Sequence, residues 1–228
     1  MKPTTIAGVD GCEGGWLAVM ESGNSDYEVR VFTSFQRLLN DTRLQTIVID
    51  IPIGLMSKGP RLCDIESRRF VGTRRSSIFP SPIRAMLDAK DYRDACAIRL
   101  GIDGKKCSKQ LWAITPKIRE VDDRMNAGLQ NRVYEGHPEV SFACMNGGTL
   151  KYSKHTPEGR EQRVALLEEH SPELRNLLKS HATLKMDGDV IDAFACLWTA
   201  RRVSRGEARR FPQDPPTDTR GLRMEINA

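Results

Sequence analysis

The sequence predicts an α/β fold, a mixed sheet flanked by helices, and three observations carry that prediction. The first 51 residues read strand, strand, strand, helix, strand. The helix in that order allows the fourth strand to run parallel to the first, because a parallel pair needs a crossover whereas an antiparallel pair needs only a turn. The third observation is a return to strand character at Arg132–Glu135, after a long helical interruption.

Each element follows from local pattern. Ile6-Ala7-Gly8-Val9-Asp10 is an apolar run ending in a carboxylate, and the Gly-rich stretch Gly11–Gly15 joins it to a second apolar run, Trp16–Met20, as a hairpin. Tyr27–Phe32 alternates as a third strand, and Ser34 is placed to cap a helix holding Phe35, Leu38 and Leu39. Ile47-Val48-Ile49-Asp50-Ile51 is β-branched and apolar but for one acid, as in a strand buried on both faces. Residues 56–130 read as a mainly helical insertion: Arg61–Arg68 is helical with Pro60 at its first turn, Pro80, Pro82 and Pro116 punctuate, and Ile118–Met125 is a short helix. A helix is expected after Pro138, ending near Gly147-Gly148, and another from Ser171-Pro172-Glu173. Asp189–Val203 is the clearest helix, with Ile191, Phe194 and Trp198 on one apolar face, and Gly221–Ile226 reads as a last strand. The chain is read as one domain, residues 1–228, with the insertion inside it.

Composition narrows the class. With 39% hydrophobic and 29% charged residues in 228, the chain reads as a globular protein able to bury a core without disulfides. No apolar run approaches the roughly 18 residues that span a bilayer, and Met1–Thr5 leads straight into a strand, so a cytoplasmic protein with no membrane partner is expected. Six cysteines without a CxxC read as reduced thiols rather than a zinc site. The net charge of +5 is segregated: Lys58–Arg84 carries seven basic residues against two acids, Arg201–Arg210 five against one, and the remainder sums to −4. That suggests a basic rim around an acidic centre, suited to an anionic partner.

Four acids stand where core positions should be apolar: Asp10, Asp50, Glu135 and Asp192. A buried carboxylate needs a cation, a hydrogen-bond donor or a shifted pKa. If the first and fourth strands are parallel neighbours, Asp10 and Asp50 meet at one sheet end, and Asp189 and Asp192 share a helix face. Asp189 reads equally as the helix N-cap. Hard carboxylate oxygens that repel one another suit Mg²⁺ or Mn²⁺, and two such ions can activate water and stabilise a leaving oxygen. Metal-dependent phosphodiester hydrolysis is the reaction class this pattern predicts, with Asp10, Asp50, Glu135 and Asp192 as catalytic ligands and Asp189 as a further one.

The segments GVDGCEGGW (8–16), IDIPIGL (49–55), RLCDIESRRFVGTRRSSIF (61–79), PKIREVD (116–122), EGHPEVSF (135–142) and DVIDAF (189–194) occur in this order. Together they resemble the family of predicted RNase H-like nucleases catalogued as a domain of unknown function, and the resemblance extends to the closing GLRMEI. It implies an RNase H-like fold and an acidic metal site at Asp10, Asp50, Glu135 and Asp192. The DxxDA stretch at 189–193 is also similar to the last acidic motif of RuvC-type resolvases. The family tends to follow Lys154 with a second lysine, where this chain has His155.

Nucleic acid is the expected partner. Arg68, Arg74, Arg75, Ser76 and Ser77 offer guanidinium forks and hydroxyls to phosphate, and Lys154 a further cation. Phe70 and Phe79 are too few for a base-stacking platform. His137 and Glu139 read as structural, a hydrogen-bonded turn histidine and a first-turn helix acid. Two other classes compete: a non-catalytic nucleic-acid or protein adaptor on the same fold, and an actin-like ATPase or kinase suggested by GVDG and its Gly-rich hairpin.

Overall fold

Apolar residues on both faces of Thr5–Cys12 (β1) place that strand at the centre of the molecule. In the computed structural model, which describes residues 5–23, 26–180 and 187–228, β1 pairs antiparallel with Gly15–Glu21 (β2) and parallel with Leu44–Ile49 (β4). Tyr27–Phe32 (β3) pairs antiparallel with β2, and Val133–Glu135 (β5) parallel with β4, so the five-stranded mixed sheet has the order β3-β2-β1-β4-β5. Ser34 caps Phe35–Leu39 (α1) as expected, its hydroxyl accepting from the Arg37 N–H at 3.3 Å.

Between β4 and β5 lie Leu62–Phe70 (α2), Tyr92–Asp103 (α3) and Lys109–Asp122 (α4), with short 3-10 turns at Gly72–Ser77 and Arg84–Asp88. Two sequence expectations change here. Helix α4 runs unbroken through Pro116, although the short helix was expected only from Ile118. A mid-helix proline removes one backbone bond, but Leu111, Thr115, Ile118 and Val121 are all buried, and continuous burial of that face outweighs the lost bond. Helix α3 is not among the elements the sequence predicts, although Asp91 caps its start and Gly104, at φ 68°, ends it.

After β5 come Pro138–Met145 (α5), Pro157–Glu168 (α6), Leu174–Ser180 (α7) and Asp187–Ser204 (α8). The expected closing strand is reduced to Ile226–Asn227 (β7), paired with Arg210–Phe211 (β6). Helix α8 is not amphipathic: every residue from Val190 to Ala200 is buried, because it lies between the sheet and α5 and α6. Gly8 makes that approach possible. A Cβ there would stand 2.0 Å from the Leu197 nitrogen and 2.1 Å from the Ala193 carbonyl oxygen, both backbone atoms of α8.

One core therefore fills the α8 face of the sheet, with Leu17, Val19, Val48, Phe194 and Leu197. A second fills the opposite face, where Trp16, Ala18, Ile47 and Ile49 meet Phe35, Ile83 and Ile118. Glu120 of α4 ties the second layer to the hairpin, accepting from Trp16 Nε1 at 3.0 Å and from the Phe35 N–H at 2.6 Å.

Candidate functional site

The parallel register sets Val9 beside Ile49, so the next residues, Asp10 and Asp50, emerge together at one sheet end. Asp50 lies one residue past β4 rather than inside it, although its N–H still donates to the Val9 carbonyl at 2.9 Å. Above them, the close contact of α8 with Gly8 brings in Asp192, beyond the first described turn of the helix. Asp10, Asp50 and Asp192 line one cleft of about 290 Å³.

These three carboxylates have few donors. Asp10 Oδ1 takes the Gly11 N–H at 2.7 Å, Asp192 Oδ2 lies 3.0 Å from Lys154 Nζ, and Asp50 has no side-chain hydrogen bond among the described residues. Burial, then the charges of Asp50, Asp192 and Asp189, push Asp10 well above the usual carboxylate range. Burial and Asp192 push Asp50 up to about 7, with Lys154 pulling the other way. Asp189, half-buried at the edge, is raised by burial and by Asp192. Burial works against the Lys154 ammonium, yet Asp192, Asp50 and Asp10 together hold its pKa above normal.

Glu135 ends β5 as expected and reaches the same cleft, but its carboxylate is already engaged. Arg61 grips it with two bonds of 2.7 and 2.6 Å, and the Ile53 N–H adds a third at 2.6 Å. Arg61, only 2% exposed, also donates to Asp64 at 2.6 Å and to the carbonyls of Ile53 and Gly54. The pair thus fastens the loop after β4, the loop that begins with Asp50. Glu139 is similarly taken up, both oxygens lying 2.7 Å from Nη2 of buried Arg163. His137 caps α5, its Nδ1 accepting from the Glu139 N–H at 3.2 Å. A neutral ring so placed carries its proton on Nε2, and burial, then Lys154, depress its pKa.

The expected phosphate-binding stretch is divided. Arg68 donates to the Ile78 carbonyl, and Arg74 to the carbonyls of Leu150 and Lys151. Arg75 and Ser76 are exposed, and Ser77 lines the cleft, as does Lys154. The arginines at 201–210 do not rim this site. Arg201 is forked on Glu21, and nine residues of helix, about 14 Å at the usual rise per residue, separate it from Asp192.

Three residues that build the site had no role in the sequence reading: Arg61, Arg163 and Lys117. Lys117 lines the cleft, donates to the Gly15 carbonyl at 2.5 Å and stands 4.6 Å from the Trp16 ring centre. Arg61 had a signal in its spacing to Asp64, three residues on in a helix beginning after a proline. Arg163 and Lys117 sit among other basic residues, and only the tertiary contact separates them.

The donors are chemically suited to a hard divalent cation: oxygens with few other partners, held together against their own repulsion. Among the described residues no three acidic, imidazole or thiol groups already surround a single point at ligating distance. No helix among the described residues is long and apolar enough to cross a membrane.

Fold and site together define an α/β protein with an acidic cleft at the carboxyl ends of adjacent parallel strands. The family described as "Protein of unknown function (DUF429)" matches residues 8–217, and the chain belongs to that family. No curated protein and no solved structure gives a significant match.

Proposed function

We propose that this protein is an RNase H-like, divalent-metal-dependent phosphodiesterase acting on nucleic acid. The convergence of Asp10, Asp50 and Asp192 carries the proposal, since three mutually repelling carboxylates are stabilised most simply by a cation. The strand order, with only β2 antiparallel to β1, β4 and β5 and a long helix packed on β1, supports the fold. Asp10, Asp50 and Asp192 would hold Mg²⁺ or Mn²⁺, with Asp189 at the edge, while Glu135 holds the Asp50 loop through Arg61. Such an ion would supply water activation and Lewis-acid polarisation of the phosphate. His137 offers a neutral N–H to the same cleft, and Ser77 a hydroxyl at its mouth.

The test is a panel of single-stranded, duplex, hybrid and branched nucleic acids, with Mn²⁺ or with chelator. Cleavage that requires metal and is lost in Asp10→Asn and Asp50→Asn is the expected result. Cleavage that persists in either variant overturns the assignment. Metal-independent binding of nucleic acid without cleavage by any metal-loaded sample favours an adaptor instead.

A further inference from the structure

Lys154 is the cleft-lining cation that pairs with one of the three clustered carboxylates, a feature that a purely acidic metal site does not explain. Its side chain is 45% exposed along its length, yet its ammonium lies 3.0 Å from Asp192 Oδ2. The loop that carries it is fixed from several sides. Thr156 caps α6 and also donates to the Ser153 carbonyl at 3.1 Å. Buried Arg163 donates to the carbonyls of Tyr152 and Gly159 while holding Glu139. Gly159 admits the loop at all: a Cβ there would meet the Ser153 carbonyl oxygen at 1.8 Å. A loop held this firmly directs Lys154 at the carboxylates.

The geometry points to Lys154 as a resident cation that takes the place of one of two metal ions, so that the cleft binds a single divalent ion per chain. The inference rests on the metal-binding reading above. Asp10, Asp50 and Asp192 against the Lys154 ammonium leave two negative charges, with Asp189 at the edge offset by Lys117, and one divalent ion neutralises them. A second ion would leave two uncompensated positive charges in a partly buried cleft, and burial of unpaired charge is unfavourable. An ammonium is a compact point charge with rotatable donors. Lys154 therefore supplies at the phosphate the charge stabilisation that a second ion otherwise provides.

The experiment counts ions rather than turnover. The full chain is titrated with Mn²⁺, bound metal is measured by equilibrium dialysis, and the electron paramagnetic resonance spectrum is recorded. Wild type is expected to bind one ion with a mononuclear spectrum. Lys154→Met is expected to bind two, with a spin-coupled spectrum, and Lys154→Arg, which keeps the charge, still one. Two coupled ions in the wild type overturn the inference, a result that does not depend on any variant folding. So does a folded Lys154→Met protein that still binds one. A wild type that binds no Mn²⁺ overturns the metal reading itself and is distinct from either of those outcomes.

Discussion

Replacing Asp50 by Asn in metal-free protein is expected to stabilise it, by an amount that grows with pH. Asp50 has no side-chain hydrogen bond among the described residues, so Asn removes the charge and nearly nothing else. Its carboxyl is displaced from 3.8 to about 7 by burial and by Asp192. Between those values the native chain holds a proton that the unfolded chain has lost. Stability therefore falls as pH rises through that window and stays reduced above it. At about 1.4 kcal/mol per unit the ceiling is about 4 kcal/mol. Solvent at the cleft mouth reduces it, and about 2 kcal/mol is the expected effect. For a chain of this size that corresponds to a rise in Tm of about 4–8 °C near pH 8 and almost none near pH 4. Thermal melts of both proteins in chelator at the two pH values measure it. A Tm difference independent of pH, or a less stable variant near pH 8, would refute the reasoning that burial and the neighbouring Asp192 disfavour the Asp50 charge.

Other outcomes follow from the same contacts. Arg61→Ala leaves Glu135 and Asp64 buried without their guanidinium, and is expected to lower stability by about 3–5 kcal/mol in a denaturant titration. Glu135→Gln is expected to lower Mn²⁺ affinity far less than Asp10→Asn in a calorimetric titration, because both Glu135 oxygens already face donors. An equal loss in the two variants would return Glu135 to the ligand set. Gly8→Ala is expected to prevent native folding, since the new methyl meets backbone of α8 that cannot move aside. A native circular dichroism spectrum and unchanged Tm for that variant would contradict the packing described.

Much of the fold was legible because its signals are local. The hairpin, the Ser34 cap, the buried run at Ile47 and the helix after Pro138 each depend on a few consecutive residues, and each forms where expected. Helix α4 was misjudged at Pro116 because a proline is a local penalty, whereas the burial that overrides it comes from segments distant in sequence. The short closing strand and the enclosed α8 have the same explanation: their extent depends on neighbours, not on periodicity.

The sequence by itself determined the order of strands and helix through β4, the later strand at β5, and that acids interrupt apolar runs at Asp10, Asp50 and Glu135. A carboxylate in such a run requires a partner whatever the fold. Only the tertiary structure decided which partner each one meets. Arg61 takes Glu135, Arg163 takes Glu139, and Lys154 reaches Asp192, across 74, 24 and 38 residues of chain. It also showed that Arg68 and Arg74 serve backbone carbonyls and that the arginines from 201 onward lie at the far end of α8 from Asp192. Charge is a property of composition, but pairing depends on distance, and distance between remote residues is set only when the chain has folded.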